Sequence, residues 1–351
     1  YAKEKYFQDV LELLRTTQYV DGLRFKYRTK PRDLYYYFRD KLEGFRFDAI
    51  AGGLQAFTEE VFLRWVNNAI KKTRMKKICI AGGVAMNVKV NMKVNEIRGV
   101  ELFVNPVPSD ESQAIGASMA VIHDDCVKRR QNPEKIIKPL KDAYLGPDIA
   151  DAEILALIKK KKIGSKYHLM TADSRRVAKL LVEGKVVGRA SGRSEFGARA
   201  LGNRSIIADP RNPDIIKVIN EKIKNRDFWM PFAATILEKR VHDYLIGYKK
   251  IGAPYMTVAF DTTLLARKHL KAGLHPYDNT CRPQVLKMGQ NDGYEKIILE
   301  FERLTGVGGV LNTSFNLHGE PIVQTAADAF RVFELSDIDA LILNGVLIEK
   351  K

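Results

Sequence analysis

The sequence alternates between helical patterns and short apolar runs, and this alternation restricts the chain to few fold classes. Apolar residues recur at helical spacing over residues 54–72, and the apolar run Lys77–Ala81 then ends at a pair of glycines. A second apolar run follows at Glu101–Asn105, and small residues indicate another helix over Ser112–Val121. Helices that alternate with strands and glycine turns are typical of α/β architecture, so the sequence predicts an α/β fold.

The same alternation starts again after residue 150. There the sequence predicts a helix capped by Asp173, a strand at Lys185–Ala190, a helix start at Asn212 and Pro213, a strand at Gly308–Asn312, a capping box at Thr325–Asp328 and a final strand at Asp339–Leu343. Residues 128–142 are basic and interrupted by proline, which indicates an interdomain linker. The 351 residues suffice for two domains. We therefore predict two α/β domains, residues 1–139 and residues 140–351.

The charge balance indicates an anionic partner. The chain carries 58 Lys and Arg against 42 Asp and Glu, a net charge of +16. Such an excess attracts nucleic acid, acidic membrane surfaces or phosphorylated small molecules, although a lysine-rich solvated surface would give the same number. No run approaches the roughly 18 apolar residues of a membrane span. Three cysteines without a CxxC pair, and no signal peptide, favour a reducing compartment, so we expect a cytoplasmic protein.

The segment from residue 188 to residue 205 is the densest candidate site. It holds four arginines and four glycines in eighteen residues. Glycine permits close backbone contact with a ligand, and the guanidinium fork matches phosphate oxygens in a bidentate manner. A solvated surface does not need so much glycine. The segment therefore predicts anion binding, with Arg193, Arg199 and Arg204 as candidates.

Further polar residues stand where open α/β sheets bind ligands. Lys224 and Arg226 add charge just before an aromatic and proline-containing stretch, and Arg282 lies on a proline-rigidified loop. Asn312 and Ser314 follow a predicted strand, at the strand end where such sheets place their ligands.

Two motifs in the first half have competing interpretations. Gly83 and Asn87 follow the strand at Lys77–Ala81, where paired glycines allow backbone N–H groups to approach a phosphate or a ribose. Such a turn also serves simply to pack a strand against a helix. Asp110 precedes the helix of small residues and is either a metal ligand or a helix cap.

Taken together, these segments resemble the carbamoyltransferase family that includes nodulation and antibiotic O-carbamoylating enzymes. The resemblance runs from about residue 48 to the end of the chain, so it covers the C-terminal portion of the family pattern. Its most specific parts are residues 192–202, Thr280–Gln284, Asn312–Asn316 and Gly319–Val323.

The resemblance implies a fold and a reaction. Residues 1–139 would be the C-terminal lobe of an actin-like (ASKHA) domain that performs carbamoyl transfer. Residues 140–351 would form a YrdC-like α/β domain with a twisted open sheet. That domain would combine carbamoyl phosphate with ATP, accompanied by Mg²⁺, to give carbamoyl-adenylate. The actin-like domain would pass the carbamoyl group to an acceptor hydroxyl with the help of Fe²⁺.

The resemblance also implies residue roles, matched position by position. Catalytic roles fall on Arg193, Lys224, Arg226 and Arg282; ligand-binding roles on Gly83, Asn87, Arg199, Arg204, Asn312 and Ser314; and a metal carboxylate on Asp110. An arginine cluster suits the first step, because joining two polyanions requires their repulsion to be offset.

The sequence departs from the family pattern in two places. No pair among its six histidines has the His-x3-His spacing of the family's metal site, and nothing before residue 48 resembles a first actin-like lobe. The chain also begins without Met. We therefore expect a C-terminal fragment whose Fe²⁺ site is incomplete, with Asp110 as a single remaining ligand.

The expected partners are carbamoyl phosphate and a small-molecule acceptor with a hydroxyl group. A homodimer is possible, a membrane is not expected, and nucleic acid is an unfavoured partner. Two alternatives remain open: a threonylcarbamoyl-type tRNA modification enzyme, which the net charge would suit, and a non-catalytic ATP-binding scaffold.

Overall fold

The computed structural model describes residues 3–224 and 230–351. The chain divides into two compact units: the first comprises Tyr1–Ile80 and Asn87–Val104, and the second comprises Ala81–Met86 and Asn105–Lys351. The domain boundary between residues 139 and 140 stays a prediction. In the described part of the chain, no helix combines the length and the apolar character that a membrane crossing requires.

The first unit contains four helices and two pairs of strands among its described residues. Its elements are α1 (Glu4–Arg15), β1 (Gln18–Asp21), β2 (Arg24–Tyr27), α2 (Leu34–Leu42), α3 (Phe47–Thr73), β3 (Lys77–Ile80), α4 (Val88–Glu96) and β4 (Glu101–Val104). Strands β1 and β2 pair antiparallel, and β3 and β4 pair parallel. The predicted helix over residues 54–72 and both predicted strands are confirmed.

The core of the first unit lies between α1 and α3. Val10, Leu11 and Leu14 of α1 are buried with Phe57 of α3. Gly53 permits this close approach, since a β carbon there would lie 2.7 Å from Cγ1 of Val10. Burial of four such side chains contributes about 1.5–3 kcal/mol each relative to exposure.

The second unit is built on a mixed sheet of eight strands, counted over its described residues. Its strands are β5 (Tyr167–Thr171), β6 (Val187–Ala190), β7 (Arg204–Ala208), β8 (Ala233–Leu237), β9 (Gln284–Leu286), β10 (Gly309–Ser314), β11 (Ala340–Leu343) and β12 (Val346–Lys350). Its helices are α5 (Gln113–Lys128), α6 (Pro133–Ile136), α7 (Asp151–Lys161), α8 (Ile163–Lys166), α9 (Ser174–Val182), α10 (Asp214–Ile219), α11 (Val241–Tyr244), α12 (Leu264–His269), α13 (Asp292–Thr305) and α14 (Ala326–Leu335).

The strand order is β5-β12-β11-β6-β7-β10-β8-β9. The β11–β6 and β8–β9 pairs are parallel, and the other neighbours are antiparallel. Strands β6, β7, β8 and β11 are buried along their whole length, as expected of strands covered on both faces. The predicted α/β class is confirmed as a mixed α/β fold with a large sheet. The finer actin-like and YrdC-like description stays a prediction.

Local helix signals in the second unit match the sequence-based predictions. The Asp173 side chain accepts a hydrogen bond from the Arg176 N–H at 3.0 Å and begins α9. Thr325 and Asp328 form the reciprocal capping box that begins α14. Such caps satisfy N–H groups that have no partner within the first helical turn.

The chain just after the predicted linker is joined to the arginine-rich segment by backbone hydrogen bonds. Gly146 N–H donates to the Ser194 carbonyl at 3.0 Å, and Ser194 N–H donates to the Pro147 carbonyl at 2.9 Å. Phe196 N–H donates to the Ala143 carbonyl at 2.7 Å. The predicted linker itself contains the short helix α6.

Candidate anion-binding site

Four strands of the second unit bring their ends to one edge of the sheet. Strand β10 ends beside the start of β7, where Ser314 pairs with Ser205, and beside the start of β8, where Asn312 pairs with Ala233. Strand β9 runs parallel to β8, so the loop before it reaches the same edge. The same end of the sheet therefore carries the residues that precede β7, β8 and β9 and the residues at the end of β10.

A polar cavity of about 90 Å³ lies at this edge. It brings together four residues that the sequence singled out: Arg199, Arg282, Asn312 and Ser314. The rest of its wall consists of Ala198, Ala200, Pro231, Phe232, Ala233, Met256 and Thr313. Two arginines and several hydrogen-bonding groups in a concave site are the features that an anionic ligand requires.

Arg199 is a half-buried cation that lines the cavity. No hydrogen-bond acceptor or carboxylate among the described residues contacts its guanidinium, and burial alone lowers its pKa. A partly desolvated charge without a counter-ion costs free energy. An anion bound in the cavity would compensate for that cost, which makes Arg199 the best candidate for a direct ligand contact.

Asn312 presents a second unsatisfied group. Its side chain is 1% exposed, and its Nδ2 donates to the Ala200 carbonyl at 3.1 Å, to Thr235 Oγ1 at 3.0 Å and to Gln284 Oε1 at 3.3 Å. The carbonyl and Gln284 Oε1 can only accept, so these contacts determine the orientation of the amide. The Oδ1 atom is buried and has no partner among the described residues. It therefore retains the capacity to accept a hydrogen bond.

A buried network holds Asn312 in place. Thr235 Oγ1 donates to Gln284 Oε1 at 2.8 Å and accepts from the Tyr294 hydroxyl at 2.9 Å. Gln284 Nε2 donates to the Leu201 carbonyl at 2.7 Å. Burial raises the pKa of Tyr294, so its hydroxyl stays a donor at neutral pH. Sequence reasoning assigned no role to Thr235 or Tyr294, because neither lies in a motif and only the folded contacts reveal them.

Lys224 contacts the end of β10 without lining the cavity. It is fully buried, and its Nζ donates to the Ser314 carbonyl, to Ser314 Oγ at 3.1 Å and to Asn316 Oδ1. It fixes the strand end that carries Asn312 and Ser314. The predicted catalytic residue Arg226 lies outside the described residues.

Arg193 and Arg204 come from the same motif but do not line the cavity. Arg193 is exposed and donates to the Leu145 carbonyl at 2.7 Å and the Gly146 carbonyl at 3.0 Å. Arg204 is fully buried and donates to backbone carbonyls that include those of Gly192 and Gln324. In the structure these two arginines hold loops together. Their predicted roles toward a ligand stay predictions.

Gly83 and Asn87 lie in different units. Gly83 is exposed and begins a 3₁₀ turn, Gly83–Met86. Asn87 caps α4 by accepting from Val90 N–H at 3.2 Å, and its Nδ2 donates to Gln55 Oε1 at 2.9 Å. These contacts give Asn87 a local structural role, and its predicted contact with an adenylate stays a prediction.

Asp110 does not have a metal-binding environment among the described residues. Its exposed carboxylate accepts from Gln113 Nε2 at 3.1 Å, and it begins the short 3₁₀ turn Asp110–Ser112. The part of the chain that the structure describes contains no group of three or more His, Cys, Asp or Glu that could hold a metal. These described residues do not fit an Fe²⁺ centre.

A smaller and mainly apolar cavity adjoins the polar one. Arg199 and Met256 line both cavities, and the smaller one is completed by residues that include Met86, Pro108 and Ser109. The predicted glycine turn and the loop before Asp110 therefore approach Arg199 within the second unit.

Comparison with known proteins identifies the family. The carbamoyltransferase N-terminus model matches residues 12–119, and the carbamoyltransferase C-terminus model matches residues 178–350. The chain belongs to the carbamoyltransferase family, as the sequence motifs predicted.

Curated relatives support the assignment. The chain is 35% identical over 326 residues to the uncharacterized protein sll1178 of Synechocystis, covering 86% of this chain and 52% of the relative. It is 33% identical to nodulation protein NolO of Bradyrhizobium diazoefficiens, covering 86% and 54%, and 32% identical to nodulation protein NolNO of Sinorhizobium fredii, covering 86% and 44%. The chain thus spans about half the length of the curated relatives it matches.

Among solved structures, full-length HypF in its phosphate- and nucleotide-bound form gives a TM-score of 0.36 at 17% identity. The match covers 49% of this chain and 21% of HypF. A similarity this weak supports no conclusion about fold or function.

Proposed function

We propose that the second unit activates carbamoyl phosphate with ATP to form carbamoyl-adenylate. The observation that supports this proposal is the polar cavity, whose lining includes Arg199 and Asn312. Among the described residues, neither the Arg199 guanidinium nor the buried Asn312 Oδ1 has a partner. A ligand that satisfies both carries an anionic group and a hydrogen-bond donor. Carbamoyl phosphate carries both, since its phosphate is anionic and its carbamoyl group ends in an amino group.

The polar residues at the cavity then have chemical roles. Arg199 and Arg282 bind the phosphate and offset the repulsion of the incoming nucleotide. Asn312 accepts a hydrogen bond from the amino group, and Ser314 supplies a hydroxyl at the end of β10. Lys224 positions that strand end through its contacts with Ser314 and Asn316. Arg226, just beyond the described residues, remains a proposed contributor of positive charge.

The proposed reaction proceeds in two balanced steps. A water oxygen takes the phosphoryl group of carbamoyl phosphate, which releases inorganic phosphate and leaves carbamate. A carbamate oxygen then attacks the α-phosphorus of ATP, the bond to the bridging oxygen breaks, and pyrophosphate leaves. Mg²⁺ would accompany the ATP phosphates.

We further propose that the carbamoyl group passes to a hydroxyl of a small molecule. Relatives of the chain include the nodulation proteins NolO and NolNO, and the family to which the chain belongs is named for carbamoyl transfer.

The activation step can be tested directly. The chain is incubated with Mg·ATP and carbamoyl phosphate labelled with ¹³C, and the products are followed by mass spectrometry. We expect labelled carbamoyl-adenylate together with pyrophosphate, and neither product with Arg199→Ala. Arg303→Ala is the matched control, because Arg303 is 53% exposed on the surface helix α13 and pairs with Glu300. Binding of ATP without any carbamoyl-adenylate would favour a non-catalytic scaffold and contradict the proposal.

A further inference from the structure

The loop that carries Arg199 is closed by one buried carboxylate. Glu195 is 9% exposed, and its Oε1 accepts three backbone hydrogen bonds. The donors are the N–H groups of Leu201 at 2.7 Å, Asn203 at 2.8 Å and Arg204 at 3.2 Å. Arg199 lies between the carboxylate and these donors along the chain, so Glu195 ties together the two ends of its loop.

Two neighbouring contacts make the loop rigid. Arg189 is 4% exposed and donates to the Gly202 carbonyl and to Asn203 Oδ1, the latter at 2.7 Å. Gly202 has a φ of +114°, and a β carbon there would lie 2.3 Å from Cδ1 of Tyr294. Few residues other than glycine accept such a position, so the backbone just after Arg199 has little freedom.

The charge of Glu195 also has a function. Burial lowers the pKa values of Arg189 and Arg204, and the negative charge of Glu195 opposes that effect at both. Without this carboxylate, two buried cations would remain beside one loop. Removal of one charge from such a buried cluster of charged side chains lowers the free energy of unfolding.

We propose that Glu195 is a positioning residue for the anion site: its carboxylate closes the Arg199 loop and holds the Arg199 guanidinium in the cavity. Glu195 does not line the cavity, so its effect on ligand binding is exerted through Arg199. The inference rests on the proposed function to the extent that the cavity binds the phosphate of carbamoyl phosphate. Substitution of Glu195 should therefore change ligand affinity only while Arg199 is present.

A double-mutant cycle tests this dependence. Glu195→Gln, Arg199→Ala and the double variant are compared with the unaltered chain by calorimetric titration with inorganic phosphate. Glu195→Gln keeps an acceptor oxygen but removes the charge. We expect it to weaken phosphate binding about 10-fold in the unaltered background and less than about 2-fold in the Arg199→Ala background.

A matched control separates positioning from stability. Glu302 is a largely buried carboxylate of the same unit that accepts from Arg240 and pairs with Lys239, away from the cavity. We expect Glu302→Gln to lower the melting temperature without changing phosphate affinity. If Glu195→Gln fails to fold, Glu195→Asp enters the same cycle, because it keeps the charge but shortens its reach.

The outcomes distinguish the two proposals. Equal weakening by Glu195→Gln in both backgrounds, or no weakening at all, overturns the positioning role. Phosphate binding with the expected coupling, but no carbamoyl-adenylate, overturns the proposed function and leaves the positioning role supported. A chain that does not bind phosphate overturns both.

Discussion

Arg199 and Arg204 lie five positions apart in one motif and have opposite surroundings. Arg204 is fully buried and donates to backbone carbonyls of three separate chain segments, including Pro147, Gly192 and Gln324. Arg199 reaches a cavity and meets no acceptor among the described residues. One arginine therefore stabilises the fold, and the other is available for a ligand.

We expect Arg199→Ala to weaken binding of carbamoyl phosphate about 10- to 150-fold, the equivalent of one charge-assisted hydrogen bond. The melting temperature should stay the same or rise, because the substitution removes a half-buried charge that has no partner among the described residues. Calorimetric titration and differential scanning fluorimetry check both effects, with Arg303→Ala as the control. A large fall in melting temperature would show that Arg199 has a structural role.

Arg204→Ala should behave in the opposite way. It leaves several buried carbonyls without donors, so we expect a loss of about 3 kcal/mol in the free energy of unfolding. Arg204→Lys should recover little of this loss, since an ammonium group cannot reproduce the planar fork of the guanidinium. Urea unfolding of the three proteins measures the difference. Full stability of Arg204→Ala would contradict the structural role.

The site should distinguish carbamoyl phosphate from acetyl phosphate. The two ligands share the phosphate, but acetyl phosphate has a methyl group where the amino group donates to Asn312 Oδ1. An acceptor left buried without a partner costs about 1–3 kcal/mol, so acetyl phosphate should bind about 5- to 150-fold more weakly. Competition titrations measure this ratio. Equal affinities would remove Asn312 from amino-group recognition.

Lys239 and Arg240 both pair with the Glu302 carboxylate, so the free energy of unfolding should depend on pH. Burial raises the pKa of Glu302, but donors from Lys239 and Arg240 outweigh it and leave the pKa below its usual value. A lowered pKa means that the stabilisation is present above the unfolded-state pKa, about 4.3, and is lost as the pH falls through the folded-state pKa.

Glu302→Gln should therefore cost about 2 kcal/mol at pH near 7 and much less at pH near 3. Melting temperatures of the two proteins at both pH values give the comparison. If the two proteins differ in melting temperature by the same amount at both pH values, the charge of Glu302 contributes little to stability.

Thiol labelling tests the placement of the Arg282 loop. Cys281 is fully buried, and burial raises its pKa to about 12, partly offset by the charge of Arg282. Cys79 is exposed. Under native conditions iodoacetamide should modify Cys79 and leave Cys281 unmodified until the chain is denatured, which peptide mass spectrometry detects. Rapid native labelling of Cys281 would place this loop on the surface.

The sequence was sufficient to predict elements that are determined locally. Asp173 and Thr325 cap helices through contacts within one turn, and apolar runs identified β6, β10 and β11. Strand β7 was not predicted, because its first residues, Arg204 and Ser205, belong to a motif that reads as an anion-binding loop. Their burial arises from strands distant in sequence, which no local pattern records.

The candidate site was predictable only as a set of segments. The motif indicated anion binding, yet nothing in it distinguishes Arg199, which lines the cavity, from Arg193, which donates to carbonyls of residues 145 and 146. That difference depends on how a distant segment packs against the loop. The buried partners of Asn312, Thr235 and Gln284, were likewise decided by strand pairing.

Exchange of labelled pyrophosphate into ATP tests the central claim most directly, because it reports reversible formation of an adenylate at this site. We expect exchange that requires the carbamoyl group, supplied as carbamoyl phosphate, that persists in Arg303→Ala and that is lost in Arg199→Ala. Exchange that proceeds without carbamoyl phosphate, or that is undiminished in Arg199→Ala, would contradict activation of carbamoyl phosphate in the cavity that Arg199 lines.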